Sequence, residues 1–131
     1  MIVVDTNVIA YLYLPGDYSE AAESLLMREP EWSVPILWRS EWRSILTGYV
    51  RRKILTLSQA RDLQREAESL LEGNEYEVES SRVFDLVHES DCSAYDCEFI
   101  ALAAQLHTKL VTMDKQLLTA FPKRAVSLSV A

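Results

Sequence analysis

The chain has 131 residues, of which 49% are hydrophobic and 25% charged, a length for one domain with a buried core and a composition that excludes intrinsic disorder. Its formal net charge of −7 argues against a generic nucleic-acid binder with a basic face. No apolar stretch approaches the roughly 20 residues that cross a bilayer, and no secretory leader opens the chain, so the expected compartment is the cytoplasm, with no membrane partner.

Residues 2–5 read as a short buried strand, continuous and β-branched, ending in Asp5-Thr6-Asn7. Asn7 is placed to cap a short helix reaching about Leu12. Pro15-Gly16-Asp17 is a turn signal, and Ser19 precedes a helical run from Ala21 to Arg28. Glu31 to Val34 reads as a second strand, closed by Pro35. A helix is expected over about 36–53, with Leu37, Trp38, Trp42, Ile45, Leu46 and Tyr49 as its apolar stripe. Ser58 can cap a further helix to about Leu71, and Gly73-Asn74 stops it. Tyr76 and Val78 alternate with acids in an edge strand from Glu75 to Glu79. Helices near 81–89 and 95–107, a strand over 109–113, a short helix over 115–120 and a strand near 125–130 complete the chain. Short strands alternating with helices specify an α/β fold, one domain over 1–131 built on a mostly parallel sheet.

Four acids stand where this pattern ends an element or interrupts an apolar face. Asp5 closes the first strand and Asp114 closes Leu110-Val111-Thr112-Met113, so both fall at carboxyl ends of strands, where such sheets bind ligands. Glu41 lies in the apolar stripe of the 36–53 helix, and neither Arg39 nor Arg43 is spaced to face it. A glutamate there is unfavourable by several kcal/mol unless it is paired, metal-bound or at the margin of the core. Asp96 follows Ser93 by three residues and shares a face with Phe99, Ile100 and Ala103. Asp96 and Asp114 each have a structural reading as well, as a first-turn acid and as a helix N-cap.

Other conspicuous residues carry less. Cys92 and Cys97, with only His88 and His107 in the chain, form no zinc pattern and read as reduced thiols. The acids from Glu66 to Glu79 lack calcium-loop spacing and read as a solvated face. Trp32, Trp38 and Trp42 read as core or interface. Between Ile36 and Lys53, Arg39, Arg43, Arg51, Arg52 and Lys53 oppose only Glu41, a local +4 that suits either RNA backbone contact or an ordinary solvated helix face.

Asp5-Thr6-Asn7, Glu41, Ser93-Ala94-Tyr95-Asp96 with Ala101-Leu102-Ala103, and Thr112-Met113-Asp114 together resemble the PIN-domain nucleases, and most nearly the VapC-type toxins of type II toxin–antitoxin systems. The resemblance spans essentially the whole chain. It implies a PIN-like three-layer fold, a short mostly parallel sheet flanked by helices. It also implies a Mg2+- or Mn2+-dependent endoribonuclease that blocks translation or growth, with Asp5, Glu41, Asp96 and Asp114 as the catalytic quartet. Asp5, Asp96 and Asp114 would hold the metal, with Thr6, Thr112 and Ser44 in support and Arg39, Arg43, Arg51 and Arg52 on the RNA. Ser44 departs from the Asn found at that place in many relatives. Implied partners are RNA, a cognate antitoxin seated in a groove between helices, and a second copy of the chain in a homodimer.

Four alternatives compete. A phospho-acceptor domain lacks its acid pair and mid-chain aspartate, and a phosphatase of the haloacid dehalogenase type would need an acid where Asn7 stands. A housekeeping ribonuclease of the same fold keeps the chemistry without the toxin role. A non-enzymatic interaction module would use the apolar 36–49 stripe and the tryptophans, but all four acids are intact.

Overall fold

The computed structural model describes residues 1–131. Its elements are β1 (Ile2–Val4), α1 (Thr6–Tyr13), α2 (Ser19–Arg28), β2 (Trp32–Pro35), α3 (Trp38–Arg51), α4 (Leu57–Leu70), β3 (Glu75–Tyr76), α5 (Ser80–Glu89), α6 (Ala94–Gln105), β4 (Leu110–Thr112), α7 (Lys115–Ala120) and β5 (Ala125–Ser127). Every strand pairs in parallel, in the order β3-β2-β1-β4-β5. The expected α/β alternation is therefore present, with the sheet flanked by helices.

The strand order positions the site. From β1 the chain steps outward through β2 and β3, then returns to the other side of β1 as β4 and β5. β1 and β4 are thus neighbours whose onward connections depart in opposite directions. Such a switch point leaves a crevice beyond the carboxyl ends of the two strands. β1 ends at Asp5 and β4 runs into Asp114, so both carboxylates stand at its rim.

The inner strands are apolar because both faces are covered: Val3, Val4, Val34, Leu110 and Val111 are all buried. α6 is apolar around most of its circumference, with Cys97 and Phe99 through Ala103 buried, and it packs on β1, β2 and β4. Trp32, Trp38 and Trp42 are each no more than 1% exposed and belong to the core, which rules them out as base-stacking surfaces. Cys92 and Cys97 are both free and buried. No helix is long and apolar enough to cross a membrane.

Several local expectations shift by a residue or two. Asn7 does not cap the first helix; it is the second residue of α1, and Asp5 takes the N-cap position. Thr56, not Ser58, caps α4, because Gln59 completes a reciprocal capping box with it while Ser58 already lies within the helix. The edge strand is only two residues long, and the last strand ends at Ser127, where Ser129 N–H turns back onto the Ser127 hydroxyl. α4 ends ahead of Gly73, which adopts φ +83°, a left-handed conformation open to glycine.

Candidate active site

Asp5, Thr6, Asn7, Glu41, Ser44, Ile45, Asp96 and Asp114 line one cavity of about 270 Å³. The four acids reach it from β1, α3, α6 and the β4–α7 junction, elements spread over more than a hundred positions of sequence. All four acids and two of the three supporting residues, Thr6 and Ser44, therefore meet in one place.

Asp5 is 6% exposed and comes from the end of β1. Thr112, buried at the end of β4, donates its hydroxyl to Asp5 Oδ2 at 2.7 Å. The same Thr112 oxygen accepts the Asp114 N–H at 3.0 Å. Thr112 thus touches both strand-end acids, although it does not itself line the cavity.

Asp114 serves two ends at once. Its Oδ1 caps α7, accepting from Gln116 N–H at 2.8 Å and Leu117 N–H at 3.1 Å. The capping reading is correct, and it fixes the carboxylate beside the cavity rather than competing with a role there. Asp96 is likewise both a first-turn residue of α6, its N–H bonded to Ser93 Oγ at 3.1 Å, and a half-buried wall of the cavity.

Glu41 has a partner that local spacing could not reveal. Thr6, at the start of α1, donates its hydroxyl to Glu41 Oε1 at 2.7 Å across 35 positions of sequence. Glu41 and Ser44 sit on the side of α3 that faces the cavity, while Trp42 and Leu46 turn into the core.

The carboxylates push one another toward their protonated forms. Asp5 is raised above the ordinary aspartate range, chiefly by burial and further by the charges of Asp96 and Asp114, with the Thr112 hydrogen bond opposing. Glu41 is raised by burial first, then by Asp5, Asp96 and Glu98, with Thr6 opposing. Asp96 is raised by burial and by Asp114. A divalent cation would relieve all three at once.

The donor set fits such a cation: carboxylate oxygens, a threonine hydroxyl and no sulfur or imidazole, which suits a hard ion such as Mg2+ or Mn2+. No three of the acidic side chains form a ready-made chelating cage. Mg2+ does not require one, since it keeps several waters and takes only one or two carboxylates directly.

Asn7 lines the cavity as an exposed residue, a role hidden by its reading as a cap. Its sequence signal was the polar Asp5-Thr6-Asn7 run itself, three side chains in a row at a strand end. Arg39, expected on the RNA, is engaged within the chain. Its guanidinium is held by Glu75 at 2.6 and 2.7 Å and by Glu68 at 3.0 Å. Arg52 lies over the Tyr49 ring, 4.7 Å from its centroid, and Arg43 and Arg51 line a groove between α3 and α4.

The PIN domain family matches residues 2–122. Ribonuclease VapC3 of Pyrobaculum aerophilum is 31% identical over 124 residues, covering 92% of this chain and 95% of that protein. A toxin–antitoxin complex from Klebsiella pneumoniae shares the fold with a TM-score of 0.72, at 18% identity over 98% of each chain. FitAcB from Neisseria gonorrhoeae does so with a TM-score of 0.74, at 17% identity over 100% of each chain. With a family match over nearly its whole length and a relative that aligns across the same span, the chain belongs to the PIN-domain family.

Proposed function

We propose that the protein is a Mg2+- or Mn2+-dependent endoribonuclease and the toxin of a type II toxin–antitoxin pair. The observation that carries this reading is the meeting of Asp5, Glu41, Asp96 and Asp114 in one cavity at the sheet's switch point. The name of the Pyrobaculum relative supports ribonuclease chemistry, and the Klebsiella complex supports the toxin context.

Asp5, Asp96 and Asp114 would hold the ion, directly or through water. Such an ion, when bound, supplies charge neutralisation at the phosphodiester and makes water acidic enough to attack near neutral pH. Thr112 keeps Asp5 fixed and shares its oxygen with the Asp114 backbone, so the two strand-end carboxylates are held as a pair. Glu41 Oε1 is tethered by Thr6, and its other oxygen would orient the attacking water and accept its proton. Water adds to phosphorus, the bond to the leaving oxygen breaks, and that oxygen takes up a proton. The shallow acidic cavity suits single-stranded or looped RNA better than a duplex.

A partner segment has a place to bind. The groove between α3 and α4, about 610 Å³, is lined by apolar Leu46, Val50 and Leu57 together with Arg43, Arg51, Arg61 and Arg65. That combination suits an acidic amphipathic antitoxin segment. Exposed Ile36 and Phe84, 49% and 69% exposed beside β3, offer apolar surface for a second copy of the chain.

The test is a metal-titrated cleavage assay on total RNA. Wild-type protein should cut with Mg2+ or Mn2+ and stop in excess EDTA, and Asp5→Asn should be inactive throughout. Cleavage that survives EDTA or Asp5→Asn would overturn the reading. Growth arrest on induction, relieved by Asp96→Asn, separates the toxin from a housekeeping enzyme.

A further inference from the structure

An acidic cavity in a chain of net charge −7 poses a binding problem for a polyanion. Arg39 is held by Glu75 and Glu68, and Arg43 and Arg51 lie in the α3–α4 groove rather than in the cavity wall. None of these arginines lines the cavity, so apart from a bound cation the RNA beside the carboxylates needs contacts other than ion pairs with them.

A pair of tyrosines that begins on α1, one turn beyond the cavity, offers such a contact. Asn7 lines the cavity, and Tyr11 follows it by four residues, one turn along the same face. The Tyr11 ring lies 5.1 Å from the Tyr18 ring, with the planes inclined at 51°. Tyr18 is 41% exposed, so its ring is open to a ligand. The turn that carries it is fixed: Ser19 Oγ donates to Leu14 C=O at 3.0 Å and accepts Gly16 N–H at 3.0 Å. A neutral aromatic pair, one ring on α1 and the other on a pinned turn, meets a nucleobase at low cost in entropy and with no charge repulsion. Burial, then Tyr18 and the Asp5 carboxylate, raise the Tyr11 phenol above its ordinary range, so the ring stays neutral.

We propose that Tyr11 and Tyr18 form a stacking platform for one base of single-stranded RNA whose backbone crosses the carboxylate cavity, and so select the nucleotide beside the cut. The inference rests on the ribonuclease reading. Stacking on an aromatic side chain tolerates any base but favours strongly stacking ones, so the platform would set a preference, not an absolute code.

The experiment measures kcat and KM on a single-stranded RNA oligonucleotide that wild-type protein cuts, and on copies carrying one abasic nucleotide at each position around the cut. Wild-type KM should rise about tenfold at one flanking abasic position, within the range of stacking per base. Tyr18→Ala should show that same rise on intact RNA, no further rise at that position, and an unchanged kcat. Tyr18→Phe should behave as wild type, since the hydroxyl is not the recognition element. Unchanged thermal melting of Tyr18→Ala serves as the fold control, and if it falls, the abasic scan on wild type and Tyr18→Phe decides. Wild-type KM for Tyr18→Ala on every oligonucleotide, or a wild type indifferent to every abasic position, overturns the platform alone. A wild type that cuts no RNA with either metal removes the ribonuclease reading first.

Discussion

Thr112 Oγ1 donates to Asp5 Oδ2 at 2.7 Å across 107 positions of sequence, and parallel register explains why. Val4 pairs with Val111, so the next step along the two strands sets Asp5 beside Thr112. A hydroxyl is needed there because it gives to Asp5 and receives from Asp114 N–H with one atom. Valine fills the same volume and does neither. Thr112→Val should therefore lower stability by about 1–3 kcal/mol, the usual cost of leaving buried polar groups unpaired. Urea unfolding in EDTA reads this directly, and an unchanged midpoint would show that the pair is not coupled.

The acid cluster should also act against the metal-free fold. Asp5, Glu41 and Asp96 all lie above their ordinary ranges, with reference values of 3.8, 4.5 and 3.8. A raised folded-state value means that the native protein binds the proton more tightly than the unfolded chain. The stability tied to that proton is complete below the ordinary carboxyl range and is lost as pH rises through the raised values. In EDTA, Asp5→Asn should match wild type in melting temperature near about pH 4 and exceed it near about pH 7.5, because the amide carries no charge to bury. Saturating Mg2+ should reverse the order at the higher pH by stabilising only the wild type. An Asp5→Asn protein less stable than wild type in EDTA near neutrality would contradict this.

The quartet was legible because each acid broke a pattern readable over a few residues. Asp5 and Asp114 end short apolar runs, and Glu41 puts a charge in an apolar stripe. Their convergence required the strand order, which composition and periodicity do not encode. The hydroxyl partners were harder to see. Thr6 reaches Glu41 from another helix, and Thr112, two residues before Asp114, donates its hydroxyl to Asp5 on the neighbouring strand while accepting the Asp114 N–H. Asn7 and Ser58 were misplaced as caps because a better-placed neighbour held the N-cap position in each case, Asp5 and Thr56. Arg39 looked free for RNA because its partner Glu75 stands on the edge strand, 36 positions away.

That last pairing predicts a structural role for Arg39. Glu75 accepts two bonds from Arg39 and one from the Trp38 indole at 2.7 Å, tying the two-residue β3 to the start of α3. The Arg39 hydrogen bond leads the lowering of the Glu75 carboxyl below its ordinary range. Arg39 is 40% exposed, so solvent weakens the ionic part, and Arg39→Ala should cost only about 1 kcal/mol. RNA KM should not change. Denaturant unfolding and cleavage kinetics on the same variant separate the two roles, and a raised KM with unchanged stability would return Arg39 to the RNA surface.

Glu41 is restrained differently from the two strand-end acids, by a hydroxyl from α1 rather than by the Thr112 bridge. If Glu41 orients and deprotonates the attacking water, Glu41→Gln should lower kcat by roughly 10²- to 10⁴-fold, the usual contribution of a positioned general base. Thr6→Val releases the carboxylate without removing it, and should lower kcat by about tenfold, about 1.4 kcal/mol of barrier. The two residues act through one atom pair, so the double variant should be no slower than Glu41→Gln alone. Additive losses would mean that Thr6 touches the RNA or the metal by itself, and the tether between Thr6 and Glu41 would then be incidental to the chemistry.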